Sequence, residues 1–553
     1  MTPTVGFAPE LSRLEHAIRV NLFAGGGGAS EGERMATGRS PTIALNHSPV
    51  AIAMHRANHP DSTHYIEDVY AVDPREVTGG REVELLWASP TCTHFSRARG
   101  GELLDQKIRG LAWAILPWIV HARPRVIVVE NVPEFLTWGP LCRQHAPDCP
   151  AGDSGATKVK CAKHCRFGRP IKARAGETFR AWRRKIESKG YSVEARTLVA
   201  WEYGAPTTRE RTYIVMRADG QPATWPAPTH APEPTPERPN RWRTAADVID
   251  WSMPCPSIFD RRRPLVRNTL ARIVRGVGKF VLQAARPFVL KVKTHGGGGN
   301  EPTSVDAPLR TITASKRGEL AVGTAFLAKH YSERRPDEVM GQDLARPMGT
   351  VTAKDHHALV CASIVKFYGT ATGSAADAPL HAVTADGLKH GLSAAFLSRY
   401  NGESVGQMPD APIGTLDTHD RYAVASARLA DRGQVSEWTP EVERRARLVY
   451  RLMVDHGYAG PGLDHQRQIV VVRIDGQAFV IWDLGMRMLT PRELFSAQGF
   501  GPEYVIDPIG PRGKRLTSTE QVRACGNSVC PPVARAIIEA ALGIRRMPEA
   551  QPN

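Results

Sequence analysis

The run Val126-Ile-Val-Val129 is the feature that most limits how this chain can fold. Four consecutive β-branched residues without a polar break predict a strand that is buried on both faces, as in a parallel sheet covered by helices. A second apolar run, Val83 to Trp87, is broken only by Glu84 and predicts a neighbouring strand of the same kind. The fold class that we predict is therefore α/β, with a doubly wound, Rossmann-like sheet.

A predicted strand and a glycine-rich turn stand near the start of the chain. His16 to Phe23 predicts the strand, and the turn Ala24-Gly25-Gly26-Gly27-Gly28 follows directly, before a helical stretch. Glycines allow backbone N–H groups to approach a nucleotide-like ligand without obstruction by side chains. Flexible linkers are also rich in glycine, so a linker is the alternative. Because a strand immediately precedes the turn, we expect it to bind a ligand.

Two polar residues follow the next predicted strands. Asn46 closes the strand at Thr42 to Leu45, where a dinucleotide-binding fold usually has an acid that binds ribose hydroxyls. Its neutral amide retains hydrogen-bonding capacity, and a surface cap is the alternative. Asp68 follows a third segment that ends near Tyr65. It is a candidate acceptor for an adenine amino group, with a solvated loop acid as the alternative.

Cys92 and Glu130 are predicted at the same edge of the sheet. Ser89-Pro90 ends one buried strand, which places Cys92 in a loop at the carboxyl edge, where open α/β sheets bind their ligands. A thiol in this basic neighbourhood is a candidate nucleophile, and a buried structural cysteine is the alternative. A carboxyl group at the end of a buried strand usually has a partner or a function, so Glu130 is also a candidate.

Charge and cysteine usage restrict the class of protein. Lys+Arg 72 against Asp+Glu 56 gives a net charge of +16 at pH 7, which favours a polyanionic partner such as nucleic acid. Nine cysteines and no charged-then-apolar leader argue against a disulfide framework. This cysteine usage favours an intracellular, cytoplasmic protein. We expect no membrane partner, because no apolar run approaches membrane-spanning length.

Five motifs in one order identify a family resemblance. They are Phe23-Ala-Gly-Gly-Gly-Gly28, Ser89-Pro-Thr-Cys92-Thr-His-Phe-Ser96, Glu130-Asn-Val132, Tyr203-Gly-Ala-Pro-Thr-Thr-Arg209-Glu-Arg211 and Gly526-Asn527-Ser528-Val529. Their order and spacing resemble the DNA (cytosine-5) methyltransferases, particularly the divergent phage and prophage members. The resemblance covers both ends of the chain and leaves the middle unmatched. It implies methyl transfer from S-adenosylmethionine to carbon 5 of cytosine in a specific duplex DNA sequence.

The resemblance also implies roles for individual residues. Cys92 would attack carbon 6 of the cytosine ring, Glu130 would contact N3, and Arg209 and Arg211 would lie beside O2 and the Cys92 loop. The target base would be extruded from the duplex, with residues 93–103 as the closing loop. The implied cofactor-binding residues are Phe23, Ala24, Gly25, Gly26, Gly27, Gly28, Asn46, Asp68, Pro90, Asn527 and Ser528.

Several positions depart from the family pattern. Asn21 replaces the usual acid of the first motif, and Asn46 replaces the glutamate that binds ribose. Thr93 follows the cysteine where glutamine is usual, and Thr207 also stands in place of a glutamine. The nucleophile, the glutamate and the arginine pair are intact, so these departures bear on cofactor affinity and loop closure.

A Cys/His-rich insertion follows the Glu130 motif. The insertion contains few apolar residues from which a core could form. Structural zinc commonly stabilises small segments of this kind. The tetrahedral set that we predict is Cys142, Cys149, Cys161 and Cys165, with His145 or His164 as substitutes. The spacing is not that of a common zinc finger, and a loop with free thiols is the alternative.

The middle of the chain contains an internal repeat. Four copies of a proline-containing run occupy residues 306–314, 345–353, 377–385 and 410–418. Between them recur strand-like runs at residues 287–293, 325–331, 363–369 and 395–401. Each unit carries Lys or Arg beside an aromatic residue, which favours a target-recognition domain that contacts DNA. The alternative is a β scaffold whose charges are only solvated.

These observations give one domain organisation. We predict a catalytic methyltransferase domain at residues 1–250 with the Cys/His-rich insertion at 141–170, and a repeat-containing, β-rich target-recognition domain at 251–435. A C-terminal segment at 436–553 returns to the catalytic domain. Double-stranded DNA is the expected partner of a monomer, with a cognate restriction endonuclease as a candidate second partner. The alternatives are an RNA or tRNA cytosine methyltransferase of the same fold, and a non-catalytic methyltransferase-like DNA-binding protein.

Overall fold

A seven-stranded mixed sheet is the centre of the fold. The computed structural model describes residues 17–90, 110–141, 171–245, 247–250, 253, 255–283, 440–474 and 477–544, with strand segments between 288 and 431. The strands of this sheet are β1 Ile18–Leu22, β2 Ile43–Leu45, β3 Thr63–Tyr65, β4 Val83–Ala88, β5 Val126–Asn131, β6 Ser192–Val199 and β7 Glu210–Arg217. Their order is β3-β2-β1-β4-β5-β7-β6. The first five are parallel, and β7 is antiparallel to β5 and β6.

Strands β4 and β5 are buried along their whole length, as the sequence predicts. Successive side chains point to opposite faces of the sheet. Leu85 and Val128 therefore belong to one apolar cluster, whereas Leu86 and Ile127 belong to another on the opposite face. Both faces are covered, and the prediction of a doubly wound α/β sheet is confirmed.

Ten helices accompany the strands in the described part of the chain. They are α1 Gly28–Thr37, α2 Pro49–Asn58, α3 Pro74–Thr78, α4 Ile115–His121, α5 Glu177–Glu187, α6 Arg267–Val277, α7 Pro440–Asp455, α8 Pro491–Ala497, α9 Ser518–Gly526 and α10 Pro531–Leu542. Local sequence fixes several ends. Thr490 with Glu493 and Thr517 with Glu520 form capping boxes at the starts of α8 and α9, and Gly543 ends α10 at a φ of 73°.

The two ends of the chain meet on one face of the sheet. Helix α10 packs against α1, and its Val533 and Ile537 lie in the same cluster as Leu85 and Val128 of the sheet. Helices α4 and α5 cover the opposite face, where Trp118 and Trp182 are fully buried. The core of this domain therefore depends on segments more than 400 positions apart, as the predicted return of the C-terminal segment requires.

The sheet order identifies the edge where a ligand is expected. Strands β1 and β4 are neighbours, and the chain runs outward from them in opposite directions, to β2 and β3 on one side and to β5 on the other. Doubly wound sheets bind ligands outside the carboxyl ends of the strands at such a switch point. The glycine turn follows β1, and Ser89-Pro90 follows β4, so both predicted segments begin at this crevice.

The remaining strands are mostly antiparallel. They are β8 His230–Ala231, β9 Asn240–Arg241, β10 Phe288–Lys291, β11 Thr303–Ser304, β12 Leu320–Gly323, β13 Leu327–Ala328, β14 Gly341–Gln342, β15 Ile364–Lys366, β16 His390–Arg399, β17 Gly406–Gln407, β18 Tyr422–Asp431, β19 Leu463–Asp464, β20 Ile469–Ile474 and β21 Gln477–Met488. Strands β10, β13, β15 and β16 overlap the four recurring runs of the sequence repeat. The four proline-containing copies lie outside the described residues.

The second large sheet crosses the predicted boundary at residue 436. Strand β21 pairs along its length with β18 on one side and β20 on the other. Only the later helices α8 to α10 join the clusters of the catalytic region. The boundaries at 250 and 435 remain predictions, and these pairings favour a return to the catalytic domain after Met488.

Residues 243–251 resemble the short helix that leads to target recognition in this family, which predicts a helix here. The described residues of this range form a turn instead, in which the N–H groups of Val248 and Ile249 both donate to the carbonyl oxygen of Ala245.

Every helix in the described part of the chain is too short or too polar to cross a membrane.

Candidate active site at the carboxyl edge of the sheet

Glu130 lies near the end of β5 and is 7% exposed. Its position opposite Tyr213 of β7 directs it toward two arginines of the adjacent chain segment. The Nε atom of Arg211 lies 3.1 Å from Glu130 Oε1, and an Nη atom of Arg209 lies 3.9 Å from the same oxygen. The structure thus brings one carboxylate and two arginines together in a buried cluster.

The arginines are held by backbone acceptors as well as by Glu130. Arg211 lies in β7, and its Nη1 donates to the carbonyl oxygen of Glu210 at 2.7 Å. Arg209 directly precedes β7, and its Nη1 donates to the carbonyl oxygen of Gly526 at 3.2 Å. Both side chains are buried, at 4% and 6% exposure. The last motif of the sequence therefore supports one of the residues that contact Glu130.

The Cys92 loop starts beside Glu130. Asn131, the next residue of β5, donates through Nδ2 to the carbonyl oxygen of Pro90 at 3.2 Å. The N–H of Ser89 donates to Leu22 of β1 at 3.4 Å, so the loop leaves the sheet between β1 and β5. Cys92 and the predicted closing loop at 93–103 lie outside the described residues. The role of Cys92 as the nucleophile therefore remains a prediction. Pro90, the last described residue before the loop, precedes Cys92 by two positions in the sequence.

The glycine turn has the backbone conformation that glycine favours. Gly25 and Gly27 have φ values of 56° and 83°, in the left-handed region. The N–H groups of Gly25 and Gly26 donate to no acceptor among the described residues, so both are available to a ligand. The hydroxyl of Tyr504 donates to the carbonyl oxygen of Gly26 at 2.8 Å and thereby fixes the turn.

Close packing by the C-terminal segment also explains these glycines. A Cβ atom at Gly26 would lie 2.8 Å from the carbonyl oxygen of Ala524, and one at Gly28 would overlap the carbonyl of Val529. The N–H of Gly28 donates to the hydroxyl of Ser528 at 3.0 Å. The sequence suggested glycine for approach of a ligand; the structure adds a second reason, contact with residues 524–529. Ser528 was expected near the cofactor and lies against the turn.

Asn46 and Asp68 follow β2 and β3, as predicted, but their side chains have local backbone partners. Asn46 Oδ1 accepts from the N–H of Ser48 at 2.9 Å. Asp68 Oδ1 accepts from the N–H of Tyr70 at 2.9 Å. These bonds restrain both side chains near the carboxyl edge, and cofactor contact by either residue remains a prediction.

Cys530 is a site residue that the sequence analysis did not identify. It is buried beside the Glu130 cluster, and burial raises the pKa of its thiol to about 12, against the lowering effect of Arg209 and Arg211. Its Sγ donates to Gln498 Oε1 at 2.9 Å. The same carboxylate and burial also raise the pKa of Tyr213 well above its usual value. The only signal in the sequence was the position of Cys530 directly after the last motif.

A buried polar network lies behind the glycine turn. Asn21 Nδ2 donates to the hydroxyl of Ser30 at 2.7 Å, and Ser30 contacts Nε2 of His55 at 2.8 Å. Nδ1 of His55 lies 2.8 Å from Nε2 of His64. Burial lowers the pKa of His55 well below its usual range and that of the nearby His59 to about 4. The amide at Asn21, where the family usually has an acid, is thus accommodated by neutral partners.

The predicted zinc ligands Cys142, Cys149, Cys161 and Cys165 lie outside the described residues. Among the residues that the structure does describe, no group of three or more His, Cys, Asp or Glu side chains is arranged to hold a metal ion. Structural zinc in the insertion remains a prediction.

Comparison with known proteins places this geometry in context. The chain matches the family described as C-5 cytosine-specific DNA methylase over residues 18–138, 170–255 and 418–542, together more than half of its length. The matched ranges include Glu130, Arg209, Arg211 and residues 526–530. The unmatched ranges, 139–169 and 256–417, contain the predicted insertion and most of the repeats.

Two curated relatives are similar over about 38% of this chain. Type II methyltransferase M.AgeI of Thalassovita gelatinovora is 28% identical over 217 residues, which is 42% of that protein. Type II methyltransferase M.AquIA of Picosynechococcus sp. is 26% identical over 218 residues, which is 77% of that protein. The matched region therefore spans less than half of the first relative's length.

Solved structures of similar proteins include a prophage-encoded E. coli protein described as a DNA modification methyltransferase. It is 14% identical, with a TM-score of 0.38 over 96% of this chain and 99% of the other. Spodoptera frugiperda DNMT2 is 12% identical, with a TM-score of 0.40 over 95% and 99% of the two chains.

Proposed function

Because the chain belongs to the C-5 cytosine-specific DNA methylase family, we propose that it transfers a methyl group to carbon 5 of cytosine in duplex DNA. The observation that carries the proposal is the buried Glu130 cluster at the carboxyl edge of the sheet. A carboxylate with two arginines within 4 Å stands beside Pro90, where the predicted nucleophile loop begins. This arrangement provides groups for the N3 and O2 side of a cytosine ring, and Pro90 lies two residues before the predicted nucleophile Cys92 in the sequence.

The proposed reaction begins with covalent attack by Cys92. The thiolate sulfur bonds to carbon 6 of cytosine, and the electrons of the 5,6 double bond move toward carbon 5, which becomes nucleophilic. Glu130 in its protonated form hydrogen-bonds N3 and delivers a proton to it as negative charge develops on the ring, and N3 returns this proton to Glu130 once carbon 5 carries the methyl group. After carbon 5 has accepted the methyl group, a base or water removes the proton from carbon 5. The bond between sulfur and carbon 6 then breaks, which restores the thiolate.

Arg209 and Arg211 position Glu130 and stabilise charge in this scheme. Their guanidinium groups approach Glu130 Oε1, which has no hydrogen-bond partner among the described residues. Arginine suits this role because its charge is permanent and its donors have fixed directions. The acceptors at Glu210 and Gly526 hold the two side chains before substrate arrives, so little reorganisation is needed during the reaction.

The residues of the glycine turn fit the proposed cofactor. S-adenosylmethionine supplies an electrophilic methyl group when it is bound. The N–H groups of Gly25 and Gly26 have no protein acceptor among the described residues, and the turn is fixed by Tyr504 and Ser528. We propose that residues Phe23 to Gly28 hold the cofactor, with Asn46, Asp68, Pro90 and Asn527 around it.

The cytosine would be extruded from the duplex, because a stacked base is inaccessible to groups buried at the sheet edge. Unstacking costs a few kcal/mol, and residues 93–103 would close over the extruded base. Monomeric state, cytoplasmic location, structural zinc and association with a restriction endonuclease remain predictions.

Trapping on a substrate analogue tests the proposed function. Wild type, Cys92→Ser and the matched control Cys255→Ser are incubated with S-adenosylmethionine and duplex DNA containing 5-fluorocytosine. Cys255 is a half-buried free cysteine away from the Glu130 cluster. Because fluorine blocks the last elimination, wild type and Cys255→Ser should form a denaturant-stable adduct with DNA, and Cys92→Ser should not.

Other outcomes identify the alternatives. An adduct with RNA but none with DNA would indicate an RNA cytosine methyltransferase of the same fold. Intact DNA binding with no adduct and no methyl transfer across many sequences would support a non-catalytic DNA-binding protein. An adduct that persists in Cys92→Ser would refute the assignment of the nucleophile.

A further inference from the structure

We propose that Arg261, Arg262 and Arg263 form a binding surface for the phosphate backbone of duplex DNA. The inference rests on the proposed function and assigns part of its DNA contact to a segment in the gap of the family match between residues 255 and 418. The three arginines line an open cavity of about 750 Å³, together with Pro256, Ser257, Asp260 and Met486. We refer to this cavity as the arginine groove.

The arginine groove is built on a fixed section of chain. The N–H of Ile258 donates to the carbonyl oxygen of Leu484 at 2.8 Å, and the N–H of Met486 donates to that of Pro256 at 2.9 Å. Residues 256–258 thus attach by backbone hydrogen bonds to β21 in the second large sheet. The arginines follow three residues later and emerge from an anchored turn.

An ion-pair network lies beneath the groove. Arg445 donates to both carboxylate oxygens of Asp260, at 2.9 and 2.7 Å, and lies 3.3 Å from Asp483, which is fully buried. The hydroxyl of Ser257 donates to Asp483 Oδ1 at 2.7 Å. Arg445 also donates to Glu441 at 2.6 Å, so it compensates the 56% exposed Asp260 only in part. The lining nevertheless sets three arginines against one exposed carboxylate, and its net charge is positive.

These three guanidinium groups have no partner among the residues that the structure describes. Arg261, Arg262 and Arg263 are exposed, and none forms a hydrogen bond or ion pair with any residue that the structure describes. Other exposed arginines do: Arg444 pairs with Glu441 at 2.8 Å, and Arg512 pairs with Glu520 at 2.6 Å. Three consecutive unpaired arginines repel one another, and a polyanion that neutralises them removes this repulsion.

The chemistry of the groove favours phosphate over other ligands. Guanidinium groups are donors only, and they match phosphate oxygens bidentately. The lining contributes no aromatic ring on which a single-stranded base could stack, whereas stacking is usual in single-strand binding. Contacts of this kind neutralise phosphates without reading bases, so they position a duplex rather than select its sequence.

Salt dependence of DNA binding measures the number of neutralised phosphates. The test variant is Arg261→Gln/Arg262→Gln/Arg263→Gln, and the matched control is Arg444→Gln/Arg512→Gln/Arg515→Gln, which removes the same charge from exposed, paired arginines. Binding of a labelled duplex is followed by fluorescence anisotropy between about 50 and 200 mM KCl. Each lost phosphate contact reduces the slope of log K against log salt by about 0.9.

We expect the test variant to lose between about 1 and 3 units of slope and at least about tenfold in affinity at low salt, equally for all duplex sequences. The control should retain the wild-type slope within about half a unit, and Arg261→Lys/Arg262→Lys/Arg263→Lys should restore it, since charge is kept. Thermal unfolding midpoints of the variants establish that they fold alike.

Equal slopes for the test and control variants would overturn the proposal, as would a loss that affects single-stranded RNA but leaves duplex DNA binding unchanged. The two proposals fail separately. If wild type forms the 5-fluorocytosine adduct and the test variant keeps the full salt slope, only the proposal about the arginine groove is refuted. Wild type that neither binds nor modifies DNA would remove the proposed function itself.

Discussion

The buried pair of Glu130 and Arg211 should be energetically coupled, and a double-mutant cycle measures this coupling. The side chains are 9% and 6% exposed, and their closest charged atoms are 3.1 Å apart. At an effective dielectric constant of about 20, charges at 3.1 Å interact by about 5 kcal/mol and charges at 3.9 Å, as for Arg209, by about 4 kcal/mol. The two arginines therefore compensate Glu130 almost equally.

Arg211→Gln should lower the free energy of unfolding by about 2–3 kcal/mol. Loss of one partner from a buried pair typically costs about 3–5 kcal/mol, and Arg209 retains about half of the compensation here. The double variant Glu130→Gln/Arg211→Gln has no unpaired charge. The decrease in its unfolding free energy should therefore be smaller than the sum of the decreases in the two single variants, by at least about 1.5 kcal/mol. Denaturant unfolding of the four proteins provides the measurement.

An exposed pair serves as the control for this cycle. Arg183 and Glu187 on α5 lie 2.7 Å apart but are 46% and 38% exposed, and we expect a coupling of about 0.5 kcal/mol or less. Additive losses at Glu130 and Arg211 would refute the reasoning, because the carboxylate would then not depend on Arg211. The rate of methyl transfer distinguishes an effect on stability from an effect on the reaction. Glu130→Gln should lower this rate by about 10²–10⁴-fold, and the double variant should not restore it.

Three further predictions follow from the packing around the site. Gly28→Ala should cost about 2–4 kcal/mol of unfolding free energy, because its Cβ overlaps Val529 and the hydrogen bond to Ser528 is lost. The control Gly38→Ala, at a φ of 74° in open space, should cost about 1–2 kcal/mol. Similar costs for the two variants would contradict the packing described for Gly28. His59 has a folded pKa of about 4, lowered by burial and by Arg34, so its stabilisation is present above pH 6.5 and is lost as pH falls toward 4. Unfolding free energies at pH 7 and 5 should therefore differ less in His59→Gln than in wild type, and an equal difference would exclude His59 as the cause. Iodoacetamide at pH 8 should label Cys255 but not Cys530 in the native protein, since burial raises the Cys530 pKa to about 12; equal labelling by peptide mass spectrometry would show that Cys530 is accessible.

Local pattern was sufficient to predict the catalytic sheet. Strands β4 and β5 are continuous apolar runs, and a run of this kind is readable from its own residues because both faces of the strand are buried. The end of a buried strand was also sufficient to place Glu130 at the sheet edge, but its contact with Arg209 and Arg211 was not predicted. The family resemblance supplied their roles, which strand patterns alone do not.

Long-range packing accounts for what the sequence did not reveal. The pairing of β21 with β18 joins segments that have ordinary strand patterns, and no local signal specifies which strand is the neighbour. The same holds for Cys530, whose proximity to Arg209 depends on the docking of α10. The helix expected at the turn near Ala245 rested on the family resemblance alone. In the structure this segment is attached to α8 and β21 through Asp250, whose N–H donates to Glu493 and whose carbonyl oxygen accepts from Arg487.

The closure of the catalytic region by its own C-terminal segment has a consequence for synthesis of the chain on the ribosome. Gly28 and its partner Ser528 are separated by 500 positions, so at about 5–20 residues per second the turn waits about 25–100 s for that partner to be translated. During this interval the nascent chain carries one face of its sheet without the α10 side chains that cover it in the finished protein. Arg209 likewise lacks its acceptor until Gly526 is translated. Assembly of the active site is thus linked to translation of residues 524–530, and a chain interrupted before them cannot form it.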